Sequence, residues 1–173
     1  MSLALHHPTD GKEPIVSDQP NPDVLLEPAT ERALGVALYN HVWTLLRTPD
    51  RTPAQTDEMI HAAHASRHHW AAVGTSANLA RGEWQCSRVY AVLGRGEPAL
   101  WHAQRCVAIL EEDGIGDWDI AAAYEAMARA SLVAGDLTEA RAWAARARAA
   151  CEAIEEDDDR RIVREDVDGL GLD

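Results

Sequence analysis

The chain of 173 residues has no phenylalanine, only three cysteines, and no long apolar run. Because no stretch of about 18 consecutive apolar residues occurs, we expect no membrane-spanning helix. Cys86, Cys106 and Cys151 are far apart and form no CxxC pair, which argues against a zinc knuckle and a disulfide framework. The first residues lack a basic segment followed by an apolar one, so we expect no secretory signal. Reduced thiols without such a signal predict a cytoplasmic protein.

Basic residues are scarce, with 16 against 29 acidic ones and a formal net charge of -13. Nucleic-acid binding and adsorption to anionic lipid both gain affinity from a basic face, so the charge predicts neither partner. Lys12 is the only lysine among the 16 basic residues, so the other 15 are arginines. This bias, with many alanines, indicates a GC-rich bacterial coding sequence. An apolar content of 46% is typical of a globular domain.

Prolines and acidic residues mark the two ends of the chain. Residues 1–28 hold five of the eight prolines, which predicts a flexible N-terminal arm. Residues 29–155 follow a helical period without the alternation of apolar and polar residues that is typical of strands, so they are predicted to form a helical domain. Thr56 and Asp117 are the predicted N-caps of its second and fifth helices. Residues 156–173 are predicted to be an acidic C-terminal tail that includes a short helix. The predicted helices of the central domain are 30–47, 55–73, 77–93, 97–112, 118–134 and 137–155.

An internal repeat runs through this helical domain. A shift of 41 residues aligns "SRVYAVLGRGEPALWHAQRC" with "ARASLVAGDLTEARAWAARA". Helix pairs of this length bury their apolar faces by stacking on their neighbours, so three helical hairpins of about 40 residues are predicted. The matched positions are mostly small: Gly94 on Gly135, Ala99 on Ala140, Ala103 on Ala144 and Cys106 on Ala147 and, with a shift of 40, Ala63 on Ala103 and Ser66 on Cys106.

The repeat resembles the tetratricopeptide repeat, in which a small residue and an aromatic precede a turn and two small residues of the second helix. The corresponding places are Ser87, Tyr90, Gly94, Ala99 and Cys106, then Ala128, Gly135, Ala140 and Ala147. The period of 40 to 41 differs from the family's roughly 34 residues, and Ser131 stands at the second aromatic place. The resemblance implies an all-α fold of three stacked antiparallel hairpins forming a short superhelix. Its first helices would line a concave groove that binds a peptide or partner protein.

The resemblance also implies which side chains face that groove. Several of these side chains are arginines. An arginine can bind a carboxylate through two parallel hydrogen bonds, so we expect an acidic peptide segment or a C-terminal carboxylate as the ligand. The alternative is that these arginines pair with Glu83, Glu125 or Asp119 on adjacent helices and lock the stack. The predicted groove residues are Arg81, Trp84, Arg88, Glu125 and Arg129, with Asn40 and His41 from the first helix.

The stretch "HAAHASRHHW" contains four of the eight histidines. At about 100° per residue, His61, His64 and His68 lie within roughly 60° of one another, off the apolar face. Two histidines four residues apart can share a zinc ion, and His102 on the next hairpin could complete such a site. A solvated helix face and a pH-sensitive contact are the alternatives. The absence of HExxH argues against a metalloprotease.

Three functions from different classes remain open on the sequence alone. The first is a protein-interaction module that binds a peptide or partner protein in the groove, with no catalytic residue and no cofactor. The second is a small helical metalloprotein or enzyme that holds zinc or another transition metal on His61, His64, His68 and His102. The third is a purely structural homodimer.

Overall fold

The computed structural model describes residues 26–172, which fold into seven α-helices without a strand. The predicted all-α class is confirmed. Residues 1–25, most of the predicted N-terminal arm, lie outside the described residues. Within residues 26–172, no helix combines the length and the apolar character needed to cross a membrane. The helices are α1 (Pro28–Leu46), α2 (Pro53–Val73), α3 (Ser76–Val92), α4 (Gly96–Glu112), α5 (Asp117–Val133), α6 (Leu137–Cys151) and α7 (Asp157–Asp168).

Side chains at the helix starts explain two of these boundaries. The Thr52 hydroxyl accepts a hydrogen bond from the Gln55 backbone N–H at 3.2 Å, and the Gln55 side chain accepts one from the Thr52 N–H at 3.0 Å. Thr75 and Asn78 form the same reciprocal cap at α3. Each cap satisfies two backbone donors that a helix start leaves free. The predicted cap at Thr56 is therefore wrong, because the helix already begins at Pro53.

The predicted cap at Asp117 is also wrong. Asp117 is the first residue of α5, has a φ of +56°, and makes no capping hydrogen bond to its own helix. Its carboxylate instead accepts a hydrogen bond from the backbone N–H of Glu155 at 3.3 Å. The contact fastens the start of α5 to the segment after α6.

The sixth helix ends at Cys151, four residues before the predicted end. An acidic run follows it, and negative charge is unfavourable near the carbonyl end of a helix but favourable near the amide end. Three aspartates of this run, Asp157, Asp158 and Asp159, form the first turn of α7. The charge pattern therefore ends one helix and begins the next.

Neighbouring helices pack in sequence order. α1 packs against α2, α3 against α4 and α5 against α6, and α2 also contacts α3 as α4 contacts α5. Further contacts join α1 to α3 and α3 to α5. The first helices of the three pairs are thus neighbours, with α3 in the middle.

Small side chains fill the positions that repeat along the sequence. Ala99, Ala103, Ala140 and Ala144 have no exposed surface, and Cys106 is likewise buried. Because these side chains are short, the backbones of the helices that carry them can approach closely. The repeat positions in α4 and α6 therefore mark helix contacts in the core.

The last helix packs against α5 and α6. It buries Val163 and Val167 in the same cluster as the alanines of α6, and Leu172 beyond it is buried as well. Its remaining residues are mostly charged and exposed. The helix is thus amphipathic, and its apolar side extends the core.

Substitution of Gly96, at the start of α4, tests the contact between α4 and the turn after α5. A Cβ at this position would lie 2.6 Å from the Cα and 2.7 Å from the backbone nitrogen of Ala134. Because backbone atoms cannot rotate away, we expect Gly96→Ala to lower the free energy of unfolding by about 1–3 kcal/mol. Urea denaturation measures this change.

Gly116→Ala is the matched control, because a Cβ on Gly116 would meet nothing within 4 Å. We expect its free energy of unfolding to change by less than about 0.5 kcal/mol. Equal stability of the two variants would show that α4 does not touch the turn at Ala134.

Candidate functional site

Arg81 on α3 is held in place from two sides. Its Nε and Nη2 atoms donate to the two carboxylate oxygens of Asp119 on α5, each at 2.9 Å. Its guanidinium carbon also lies 4.6 Å from the ring centroid of Trp118, within range of a cation–π interaction. Hydrogen bonding to Asp119 raises the pKa of Arg81. The charge is therefore fixed in position, and it joins α3 to α5.

Arg88, two turns further along α3, pairs with the last helix. Its Nη1 and Nη2 atoms lie 3.3 and 3.4 Å from the carboxylate oxygens of Asp166 on α7. The Arg88 guanidinium also lies 6.0 Å from the ring centroid of Trp84. Arg88, predicted to face the groove, therefore joins α3 to α7.

Glu125 and Arg129 form an ion pair within α5, and both are buried. Arg129 Nε donates to Glu125 Oε1 at 2.9 Å, and a second N–H of Arg129 contacts the other carboxylate oxygen. Burial raises the pKa of Glu125 and lowers the pKa of Arg129, although each partner favours the charged form of the other. The alternative in which groove arginines pair with carboxylates of adjacent helices therefore describes Arg81 and not Arg129, whose partner lies in its own helix.

The two predicted residues of α1 occupy different surroundings. His41 Nε2 lies 2.8 Å from Glu58 Oε1 on α2, and both side chains are exposed. Asn40 is exposed and lines an open cleft. Of the residues predicted for the groove, Asn40 and Arg81 meet in this cleft.

The cleft has a volume of about 300 Å³. Its walls come from α1, α2, α3 and α5 and combine aromatic rings, two amides and one guanidinium. Sequence reasoning missed five of its residues, because their orientation depends on how the four helices pack. The lining residues are Val36, Tyr39, Asn40, Trp70, Asn78, Arg81 and Trp118.

A second, more apolar cavity of about 180 Å³ lies under α7. Trp43 and Trp84 form one wall, with ring centroids 5.6 Å apart, and Trp118 and Ile162 also line it. The buried Trp84 Nε1 has no hydrogen-bond partner among residues 26–172. The residues predicted for the groove thus occur in two places, with Asn40 and Arg81 at the open cleft and Trp84 and Glu125 at this second cavity.

The structure brings together two of the four histidines predicted to bind metal. The rings of His64 and His102 have centroids 5.2 Å apart, whereas His61 and His68 are exposed elsewhere on α2. Neither His61 nor His68 has a ligand atom in the group of His64 and His102, although both lie on the same helix as His64. A thiol that was not predicted, Cys86 on α3, completes the group of His64 and His102.

A hydrogen-bonded network surrounds this group. His102 Nδ1 lies 2.7 Å from Glu83 Oε2, and Arg67 Nε donates to Glu83 Oε1 at 2.8 Å. His64 Nε2 lies 2.9 Å from the Tyr90 hydroxyl. The Tyr90 ring stacks on His102, with a centroid distance of 5.6 Å and an interplanar angle of 10°. The His102 ring is therefore fixed by both a hydrogen bond and a stacking contact.

Burial and neighbouring charges shift the pKa values of this network. Burial alone would raise the pKa of Glu83, but the hydrogen bonds from His102 and Arg67 lower it below its usual value. Burial lowers the pKa of His64, and electrostatic repulsion from His102 lowers it further. Burial also raises the pKa of Cys86 to about 12. At neutral pH, Glu83 is a carboxylate, His64 is neutral and Cys86 is a protonated thiol.

Comparison with known proteins gives no relative. The chain matches no protein-family model, and no curated protein or solved structure is significantly similar to it.

The buried pair in α5 predicts a large difference between a single and a double substitution. Glu125→Ala leaves the buried Arg129 charge without its carboxylate, and we expect the free energy of unfolding to fall by about 3–5 kcal/mol. In Glu125→Leu/Arg129→Met both charges are absent, and we expect a loss of less than about 1 kcal/mol or a gain in stability. Urea denaturation at pH 7 measures the free energy of unfolding of both variants. A double variant as unstable as Glu125→Ala would show that the instability does not come from an unpaired buried charge.

The three cysteines provide a test of burial. Each is at most 2% exposed, and burial raises the pKa of all three thiols. We expect no modification by a disulfide reagent at pH 7.5 in the native protein, because the thiolate is the reactive form. In denaturant, three thiols per chain should react. Rapid modification of one thiol in the folded protein would instead indicate a reactive cysteine.

Proposed function

We propose that the chain is a protein-interaction module with a tetratricopeptide-like architecture. In this proposal α1–α2, α3–α4 and α5–α6 are three stacked hairpins of a short superhelix, and α1, α3 and α5 line its concave side. A peptide or a segment of a partner protein binds on this side. The partner contributes an acidic side chain or a C-terminal carboxylate beside an apolar residue.

Several features of the packing support the stack. The first helices of the three pairs are neighbours, as a shared wall requires. Gly94 and Gly135, which match in the repeat, end the first helices of two pairs with φ values of +69° and +85°. Equivalent small residues of α4 and α6 are buried. Two units that share turn geometry and core positions are typical of a helical repeat.

The single observation that carries the proposal is the open cleft, in which Asn40 and Arg81 come together. Its aromatic residues offer apolar surface to a side chain, and the amides of Asn40 and Asn78 offer hydrogen bonds to a peptide backbone. Sites of this kind, apolar walls with a few convergent polar groups, are typical of ligand-binding pockets. The cleft therefore combines the contacts that a short peptide needs.

The charge of the partner is inferred from Arg81. Its hydrogen bonds to Asp119 use Nε and Nη2, and the structure gives Nη1 no hydrogen bond to another of residues 26–172. The remaining N–H groups can donate to a carboxylate of the ligand, and stacking on Trp118 keeps the guanidinium in place. The contact between Arg88 and Asp166 is a second example of an arginine of α3 that binds a carboxylate, in this case one from the acidic helix α7.

Selection from a library of random peptides tests this function. Each selected peptide is synthesised with a free and with an amidated C-terminus, and its affinity is measured by titration calorimetry. We expect peptides that combine a carboxylate with an apolar or aromatic side chain. Loss of affinity on amidation identifies the terminal carboxylate as the recognised group, whereas unchanged affinity identifies an acidic side chain.

Two exposed valines give matched variants for this experiment. Val36 lines the cleft and Val92 does not, and they are 44% and 48% exposed. Val36→Glu introduces bulk and a negative charge, so we expect at least about a tenfold loss of affinity, equal to roughly 1.4 kcal/mol. Val92→Glu should bind as the unmodified protein does. Equal affinity of the two variants, or selection of no peptide above background, would overturn the proposal.

A further inference from the structure

Three potential metal ligands meet where α2, α3 and α4 touch. His64 lies on α2, Cys86 on α3 and His102 on α4, and one ligand atom from each lies within 4.8 Å of the other two. No other group of three or more histidine, cysteine or acidic residues in the described chain, residues 26–172, meets this distance. The residues come from three helices, so the fold and not a local motif assembles the group.

The donor set has the chemistry of a transition-metal site. Imidazole nitrogen and thiolate sulfur are the usual zinc ligands, with Zn–N distances of about 2.0 Å and Zn–S distances of about 2.3 Å. Around a tetrahedral ion such ligand atoms are roughly 3.3–3.6 Å apart. The ligand atoms lie at most 4.8 Å apart, so they have to approach one another by at most about 1.2–1.5 Å. Side-chain rotation of the exposed His64 can shorten its own two distances, and any remaining approach falls to Cys86 and His102.

His102 is already oriented as a metal ligand. Its Nδ1 lies 2.7 Å from the Glu83 carboxylate, and in the neutral tautomer that donates Nδ1–H to this carboxylate, Nε2 keeps the lone pair that a metal ion requires. A carboxylate behind a metal-bound histidine is a common feature of zinc sites, because it fixes the ring and strengthens the ligand. Arg67 holds Glu83 in turn, and Tyr90 covers one face of the His102 ring. Two supporting residues and a stacked ring thus fix one ligand before any ion binds.

The surroundings also permit an ion to arrive. His64 is exposed, whereas Cys86 and His102 are buried beneath it. An ion that binds His64 first can pass inward to the other two ligands. Cys86 binds as a thiolate, so its proton is released to solvent when the metal–sulfur bond forms.

We propose that His64, Cys86 and His102 bind one thiophilic transition-metal ion, with Zn²⁺ as the ion that this donor set fits best. A water molecule or the Tyr90 hydroxyl fills the fourth position. The ion links α2 to α3 and α4 and so fastens the first helix pair to the second. The site is independent of the peptide cleft, because none of its three ligands lines that cleft.

Titration of the metal-free full-length protein with Co²⁺ tests the site, since cobalt bound to a thiolate absorbs in the near ultraviolet and its tetrahedral complexes absorb strongly in the visible. We expect saturation at one Co²⁺ per chain, a thiolate charge-transfer band, and displacement by Zn²⁺. Saturating Zn²⁺, at about 100 times its dissociation constant, should also raise the melting temperature by roughly 5–10 °C.

Matched variants separate this site from chance binding by surface histidines. Cys86→Ser should abolish the charge-transfer band, whereas Cys106→Ser, at another buried cysteine, should keep it. His64→Ala should weaken Co²⁺ binding far more than His61→Ala does. Glu83→Gln should weaken it by about 10- to 100-fold, because the support behind His102 is lost. Circular dichroism verifies that each variant is folded.

Three results would overturn the proposal: no thiolate band in the unmodified protein, a band that survives in folded Cys86→Ser, or binding that depends on His61 as much as on His64. If Cys86→Ser fails to fold, alkylation decides the question in the unmodified protein. Bound Zn²⁺ should then protect one thiol per chain from modification in partial denaturant, and equal modification with and without Zn²⁺ would contradict the site. Competition between Zn²⁺ and Cu⁺ identifies the preferred ion, since copper also uses two histidines and a cysteine.

Discussion

The close approach of helices through alanine and other small side chains is the constraint on which the structure depends. Ala99 and Ala103 in α4, and Ala140 and Ala144 in α6, have no exposed surface. A larger side chain at any of these positions would separate two helices that share the core. Because the chain has no phenylalanine and few large apolar residues there, close contact between backbones compensates for the smaller area that each side chain buries.

Charged groups also lie in the interior of the helical packing. Glu83 and Glu125 are almost fully buried, and each has a cationic partner, Arg67 or Arg129. A buried charge is tolerated only when it is paired and hydrogen-bonded, and removal of one partner destabilises the fold more than removal of both. Arg67 thereby joins α2 to α3, whereas Arg129 neutralises a carboxylate of its own helix. Arg81 joins α3 to α5 while it also faces an open cleft.

The third helix supports both proposed sites. Arg81 contributes to the cleft that faces α1 and α5, whereas Glu83, Cys86 and Tyr90 belong to the cluster shared with α2 and α4. A helix at the centre of the molecule has neighbours on several sides, so different faces of α3 can take part in different chemistry. An ion that fastens α2, α3 and α4 would also steady the helix that carries Arg81.

The sequence by itself determined the helical class and most helix boundaries, because periodicity, glycine turns and small repeated residues act locally. It also predicted arginines of α3 and α5 for a peptide groove and three histidines of α2 for a metal site. Tertiary structure decided their partners. Arg88 meets Asp166, 78 residues away, and His64 meets Cys86 and His102 instead of its neighbours His61 and His68. Side chains on one face of a helix are separated by a fixed rise along the helix axis. Three metal ligands can therefore meet at one point only when other helices pack against the first.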